Sequence, residues 1–83
     1  MNIAEVRAGV LAELRRIAPE LEDGELAPAK PLREQVDLDS FDFLNVIIRL
    51  HEVLGIDIPE SDYAELTTLT GAIDYLVRRS AGR

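Results

Sequence analysis

Ser40 and His51 are the two side chains of this sequence that prompt a search for nucleophilic chemistry. A serine nucleophile needs a base within hydrogen-bond reach, and His51 is the only histidine in the chain. Both residues fall on one predicted helix, where a separation of eleven residues corresponds to about 16 Å along the axis. The two side chains therefore cannot meet, and we interpret His51 as a solvated surface residue. The sequence predicts no catalytic residue.

The residue types needed for a metal or nucleotide site are also lacking. The chain contains no cysteine, which excludes disulfides, thiolate metal sites and cysteine nucleophiles. With one histidine, a metal site would need carboxylates at a calcium-loop spacing, and neither that spacing nor a glycine-rich phosphate loop is present. The sequence predicts no metal site, and it predicts that the chain is not an enzyme.

The surroundings of Ser40 make it the main candidate for a functional residue. It follows Asp39 and a long acidic segment, and it opens the most apolar predicted helix. A serine or an aspartate at such a place often caps the helix. A phosphate ester on the serine hydroxyl would also meet free backbone N–H groups and the positive end of the helix dipole. From these residues alone, two roles of Ser40 remain possible: it caps the helix, or it carries a phosphodiester.

Apolar residues at helical spacing predict three main helices. The first covers residues 3–18 and stops before a proline, because proline disfavours helical backbone in the residue that precedes it. The second covers residues 40–54, is apolar over more than half of its circumference, and ends at Gly55, which permits a left-handed backbone. The last helix follows Thr67 and Thr68, which offer an N-cap. The second helix is therefore expected at the centre of the molecule.

A long connection and a short helical turn complete the predicted architecture. Residues 19–39 contain Gly24, Pro28 and Pro31 and are expected to lack regular structure. A connection of this length tends to be functional. A short helix is expected after Pro59. The predicted fold is all-α: a small four-helix bundle, with three main helices, one short helix and a long first loop.

Length and composition predict one domain. The chain has 83 residues, of which 47% are apolar and 30% charged, a globular composition with enough apolar residues for one core. We expect a single domain over residues 1–83, ordered over about 3–79, with residues 80–83 as a frayed tail.

The charge distribution indicates the kind of partner. The formal net charge is −7, which makes nucleic acid an unsuitable partner because its phosphates would be repelled. Acids are concentrated in residues 20–42, whereas Arg78, Arg79 and Arg83 make the end of the chain basic. An acidic surface favours basic partner proteins. The chain shows no signal peptide and no apolar run of membrane-spanning length, and we expect a cytoplasmic protein.

Three segments of the sequence resemble the acyl carrier protein family. LDSFD at 38–42 resembles the Asp-Ser-Leu signature of that family, LHEVLGIDIP at 50–59 is similar to its helix end and Ile-x-Ile-Pro element, and TTLTGAIDYL at 67–76 is similar to its last helix. The segments stand in the right order and spacing, and the resemblance covers the chain from about residue 32 to residue 77.

The resemblance implies a covalent cofactor and a set of partner enzymes. Ser40 matches the serine that a phosphopantetheinyl transferase modifies with 4′-phosphopantetheine from coenzyme A. The thiol of that arm holds an acyl or aminoacyl group as a thioester for acyl-activating and acyl-transferring enzymes of fatty-acid, polyketide or specialised acyl metabolism. Residues matching the transferase and partner docking surface are Asp39, Phe41, Asp42, Glu52, Glu60 and Asp62. Residues matching the core and acyl pocket are Leu44, Ile47, Ile58, Leu66, Leu69 and Ile73.

The sequence also departs from the family pattern around the candidate serine. An aspartate, Asp37, stands where a glycine is common, and Asn45, Arg49 and His51 stand where glutamates are common. These departures favour a specialised, freestanding carrier over one that serves a general fatty-acid synthase. Aromatic bulk beside the serine favours short or unusual acyl groups. An aspartate rather than a histidine before the serine disfavours the peptidyl carriers of nonribosomal synthetases.

A second hypothesis belongs to a different functional class. An unmodified acidic helical interaction module would use the same surfaces, with Ser40 only a helix cap. The acceptance of phosphopantetheine distinguishes the two hypotheses. For the carrier we expect a monomer, because a carrier must expose the serine end of its central helix.

Overall fold

A computed structural model gives the fold of the chain and describes residues 1–22 and 24–81. The described residues form helices and no strand, and one isolated β-bridge joins Pro31 to Thr68. The predicted all-α fold is confirmed. In chain order the elements are α1 (Ile3–Ile17), α2 (Leu32–Gln35), α3 (Ser40–Leu54), a 3-10 helix η1 (Glu60–Leu66) and α4 (Leu69–Ala81).

Helix α1 starts at a side-chain cap and supplies one wall of the core. The Asn2 side chain accepts a hydrogen bond from the Glu5 backbone, and the Glu5 side chain accepts one from Asn2, so two leading N–H groups are satisfied. The helix ends at Ile17, close to the predicted end. Its apolar stripe faces the other helices and is buried, with Val6, Val10, Leu11 and Leu14 in the core.

Helix α3 has the predicted bounds but a different exposure. It ends at Gly55, which adopts a φ of 67°, a left-handed conformation that glycine adopts at little cost. One face, with Val46, Ile47 and Leu50, is buried. The flanking apolar residues Leu44 and Ile48 are exposed. The helix is thus apolar over a wider arc than it buries, because no element of the described residues packs over that side.

The connection between α1 and α3 contains structure that the sequence did not predict. A single helical turn, α2, interrupts the stretch expected to lack regular structure. Next to this turn, the Leu32 N–H donates to the Thr67 carbonyl at 2.7 Å, and the Thr70 N–H donates to the Pro28 carbonyl at 3.0 Å. The connection is therefore fastened to the start of α4. Its apolar residues are buried in the core: Leu21, Leu26, Leu32, Val36 and Leu38.

The predicted short helix and the predicted cap of the last helix are both present. Element η1 follows Pro59 directly. The Thr68 hydroxyl then accepts a hydrogen bond from the Gly71 N–H at 2.9 Å and caps the start of α4. At its other end α4 continues to Ala81, beyond the expected end near residue 79. Ser80 and Ala81, expected in the frayed tail, are thus helical, and residues 82–83 lie outside the described residues.

Gly71 lies where α4 passes close to the end of η1, and its lack of a side chain is required there. A β-carbon at this position would lie 2.6 Å from the Glu65 carbonyl oxygen and 2.9 Å from the Thr68 hydroxyl. We expect Gly71→Ala to lower the free energy of unfolding by about 1–3 kcal/mol, because backbone atoms must shift. Urea denaturation measures this change.

The matched control is Gly9→Ala in α1. A β-carbon at Gly9 meets only the flexible end of Leu54, at 3.3 Å, and alanine gains up to about 1 kcal/mol of helix propensity. We expect the stability of this variant to equal or exceed that of the wild type. Equal stability of the two alanine variants would contradict the close approach at Gly71.

Candidate functional site

Ser40 is the first residue of α3, and its neighbour Asp39 performs the capping. The Asp39 carboxylate accepts a hydrogen bond from the Asp42 N–H at 2.8 Å, and the Asp42 carboxylate accepts one from the Asp39 N–H at 3.4 Å. This is a complete capping box. Ser40 is exposed, and its hydroxyl makes no hydrogen bond within the described residues. The Ser40 hydroxyl is therefore accessible for chemical modification.

The start of α3 suits a phosphate ester on Ser40. The leading N–H groups of an α-helix have no acceptor within the helix. Asp39 accepts from the Asp42 N–H through its carboxylate and from the Phe43 N–H through its carbonyl, the latter at 3.0 Å. The N–H groups of Ser40 and Phe41 remain for an anion at the positive end of the helix dipole. The residues present thus fit a group attached through a phosphate.

The predicted docking residues fall into three regions. Asp39, Phe41 and Asp42 lie in one turn with Ser40, and Phe41 is 77% exposed. Glu52 is exposed near the other end of α3, about 18 Å along the axis from Ser40. The acids of η1, Glu60 and Asp62, belong to a separate element.

Asp62 is committed to a contact inside the molecule. The Tyr75 hydroxyl donates to the Asp62 carboxylate at 2.6 Å, and this bond ties η1 to α4. Burial, and in second place the hydrogen bond to Asp62, raise the pKa of Tyr75 from 10.0 to about 12. Asp62 therefore has a structural contact that the docking prediction did not include.

The basic end of the chain also pairs within the molecule. Arg78 donates to the carboxylates of Glu65 and Asp74, each at 3.1 Å, and Arg79 donates to the Asp57 carbonyl at 3.0 Å. These side chains are exposed, so each ion pair adds little stability. Together with the tyrosine contact they hold η1 and the segment before it against α4.

The six predicted pocket residues do not form one cavity. Ile47 and Leu66 line a small apolar void of about 10 Å³, which is barely enough for one water molecule. Ile58 and Leu69 are buried elsewhere in the core, and Ile73 is half-buried against it. Leu44 is 38% exposed on the surface of α3, so its assignment to the core was wrong. The core as described has no room for an acyl chain.

Sequence reasoning missed a buried glutamate that pairs with two arginines. Glu13 of α1 is buried, with Nε of Arg49 in α3 at 3.2 Å from its carboxylate and Nε of Arg16 at 3.7 Å. Its position three residues after Val10 and four before Ile17, on the apolar stripe of α1, was a signal that could have identified it. The ion pair between Glu13 and Arg49 joins α1 to α3.

His51 makes a local contact rather than facing only solvent. Its ring Nδ1 lies 2.7 Å from the Ile56 carbonyl oxygen, and since a carbonyl only accepts, Nδ1 donates. The histidine thus supports the chain as it leaves α3. In the described part of the chain no group of three or more potential metal ligands is found, and no helix there is long and apolar enough to cross a membrane.

Comparison with known proteins identifies the family. The sequence profile described as "Phosphopantetheine attachment site" matches residues 8–76. The chain is 30% identical to an acyl carrier protein of Rubrobacter xylanophilus over 86% of this chain and 91% of the relative. It is 28% identical to an acyl carrier protein of Myxococcus xanthus over 87% and 90%. It is 29% identical to a meromycolate extension acyl carrier protein of Mycolicibacterium smegmatis over 87% and 72%.

These matches place the chain in a class of carrier domains. The match to the profile covers most of the chain and includes the start of α3. The chain belongs to the phosphopantetheine attachment family, and phosphopantetheine is the group for which this family provides the attachment site. The resemblance seen in the sequence is therefore confirmed.

The contact between Tyr75 and Asp62 gives a prediction about pH. The pKa of Tyr75 is raised from 10.0 to about 12 in the folded chain, so the folded state holds the phenol proton more tightly than the unfolded state. The resulting stability is complete below pH 10 and is lost as the pH rises towards 12. We expect Tyr75→Phe to lower the free energy of unfolding by about 1–2 kcal/mol at neutral pH.

Between pH 10 and pH 12, bracketing the unperturbed and raised pKa, wild type and Tyr75→Phe should approach each other in stability. Chemical denaturation of both proteins across this range measures the difference. A difference that stayed constant across this range would contradict the raised pKa of Tyr75 in the folded chain.

Proposed function

We propose that Ser40 is the residue that carries 4′-phosphopantetheine, and that the chain carries acyl groups on that arm as thioesters. The observation that carries the proposal is the capping of α3 by Asp39, which leaves the Ser40 hydroxyl exposed and without a hydrogen-bond partner in the described residues. The family match supplies the chemical group, and the names of the relatives supply the acyl cargo.

The attachment step is a phosphoryl transfer from coenzyme A. The Ser40 oxygen forms a new bond to the phosphorus that bears the pantetheine arm. The pyrophosphate bond of coenzyme A breaks, and adenosine 3′,5′-bisphosphate leaves with the electron pair. The serine proton passes to a base of the phosphopantetheinyl transferase, because the chain offers none nearby: His51 is about 16 Å along the helix axis and is bonded to the Ile56 carbonyl.

The residues around Ser40 hold and present the arm. The start of α3 stabilises the negative charge of the phosphodiester through free N–H groups and the helix dipole. The thiol of the arm supplies the atom that bonds to the acyl group. The chemistry on that group belongs to partner enzymes, which activate and transfer acyl groups, so the chain itself is a carrier and not a catalyst.

The small volume of the void in the core bears on the size of the acyl group. The apolar void beside Ile47 and Leu66 measures about 10 Å³, and a well-packed interior does not admit extra groups without strain. A long acyl chain would enter only if the helices moved apart. This supports the sequence-based prediction of short or unusual acyl groups. The pathway, the cytoplasmic location and the monomeric state stay predictions.

Intact-protein mass spectrometry tests the proposal. The full chain is incubated with coenzyme A and a broad-specificity phosphopantetheinyl transferase. We expect the wild type to gain the mass of one phosphopantetheine and Ser40→Ala to gain none, because only Ser40 combines a free hydroxyl with the start of α3. Ser61→Ala, at an exposed serine in η1, is the matched control and should be modified as the wild type is.

The same experiment tests the competing hypothesis. A folded wild-type protein that gains no mass with two different transferases would make the chain an unmodified interaction module. Modification of Ser40→Ala would place the attachment at another residue. Thermal unfolding of each variant confirms that the chain is folded before the reaction.

A further inference from the structure

One aromatic side chain borders both the core and the solvent, one helical turn after Ser40. Phe43 is half-buried and packs against the buried core residues. It lines the apolar void of about 10 Å³ together with Ile47 and Leu66, and the other residues that the structure describes around this void are buried. Phe43 is therefore the part of the wall that separates the void from solvent.

The residues of α3 that share a side with Ser40 lead from the surface into the core. Ser40, Phe43 and Ile47 follow one another at spacings of three and four residues, which places them on one side of the helix. Ser40 is exposed, Phe43 is half-buried and Ile47 is only 2% exposed. Phe43 lies about 4.5 Å from Ser40 along the helix axis, and Ile47 about 10.5 Å. Along this side of α3, the Phe43 ring stands between the attachment point and the void.

The ring of Phe43 leaves no space for a second apolar group. A tail forced in beside the ring would overpack the core, which is unfavourable. A tail that displaced the ring would push it into solvent, so the burial of one apolar group would be offset by the exposure of another. The backbone at Phe43 is also fixed, because its N–H donates to the Asp39 carbonyl at 3.0 Å. The wild-type core therefore excludes an acyl tail.

We propose that Phe43 determines which acyl groups the core takes up, by filling the space that a tail of about six carbons would otherwise occupy. This inference rests on the proposed function, because it concerns the group on the Ser40 arm. An engineered apolar cavity of about 150 Å³ stays dry and binds benzene, which has the size of the phenylalanine ring. Removing the ring of Phe43 leaves an apolar space of comparable kind on the side of α3 that carries Ser40. That space suits a hexanoyl tail.

Thermal unfolding of acylated chains tests the role of the ring. A broad-specificity phosphopantetheinyl transferase attaches the acylated arm to the full chain from hexanoyl-coenzyme A or acetyl-coenzyme A, and mass spectrometry confirms complete loading. A tail that is buried only in the folded state stabilises that state. For the wild type we expect the hexanoyl and acetyl forms to unfold within about 1 °C of each other, since neither tail enters the core.

Two substitutions of Phe43 remove the ring to different extents. Phe43→Ala should unfold about 10 °C below the wild type, because the core loses a large apolar side chain. Its hexanoyl form should unfold about 5 °C above its acetyl form, since the tail refills part of the space. Phe43→Leu keeps more of the packing and should show about half of that difference between acyl forms. It decides the question if the alanine variant does not fold.

The matched control is Phe41→Ala, which removes an identical ring from the residue next to Ser40. Phe41 is 77% exposed and does not line the void in the described chain. The hexanoyl and acetyl forms of this variant should unfold within about 1 °C of each other, as in the wild type.

The methyl resonances of Ile47 report where the tail lies. Ile47 lines the void one turn beyond Phe43, so its methyl resonances in Phe43→Ala should differ between the hexanoyl and acetyl forms. In the wild type and in Phe41→Ala the resonances of the two forms should coincide. This measurement distinguishes a tail in the core from a tail that contacts the surface.

The outcomes separate the inference from the proposed function. A wild type that the hexanoyl group stabilises as much as it stabilises Phe43→Ala would overturn the inference. Equal unfolding temperatures of the two acyl forms in both Phe43 variants would overturn it as well. In either case the gain of mass at Ser40 would still uphold the proposed function. A folded wild type that accepts no arm from coenzyme A or from either acyl-coenzyme A would overturn the proposed function and the inference together.

Discussion

The hydrogen bond from the Asp42 amide to the Asp39 carboxylate fixes the place where α3 begins, and the rest of the site depends on that place. It makes Ser40 the first helical residue, with its hydroxyl in solvent and leading N–H groups beside it. A serine in the capping position would use its hydroxyl oxygen to accept a hydrogen bond from the backbone. Here the aspartate one residue earlier caps the helix, so the serine hydroxyl stays available for modification.

A small number of polar contacts holds the minor elements around this helix. The Tyr75 hydroxyl ties η1 to α4 through Asp62, and Glu13 ties α1 to α3 through Arg49. A domain of this size has one modest core, and a single helical turn or a 3-10 helix buries little apolar surface alone. Side-chain contacts with definite partners therefore orient these elements where apolar packing leaves several arrangements open.

Local chemistry made most of the fold predictable, and long-range packing explains the rest. The bounds of α3, the left-handed Gly55 and the serine at the helix start depend on neighbours in sequence. The turn α2 was missed because one turn has no periodicity and is stabilised by what it packs against. Leu44 was wrongly assigned to the core because the apolar face of α3 is wider than the surface that the other helices cover. The sequence does not show which side of that face remains in solvent. The contact of Asp62 with Tyr75 depends on the path of the chain between them.

The junction between Pro31 and Thr68 has a consequence for how this chain can vary in length. It divides the long connection into two shorter spans, so the part next to α3 is anchored independently of the part next to α1. Gly24 lies in the span between α1 and this junction. Its φ is 96°, and no atom lies within 4 Å of the position that a β-carbon would take. Doubling the length of a flexible loop costs only about 0.6 kcal/mol. Residues inserted there would leave the serine and its helix in place, which makes this bend the natural point for an insertion, a fused label or a surface linkage.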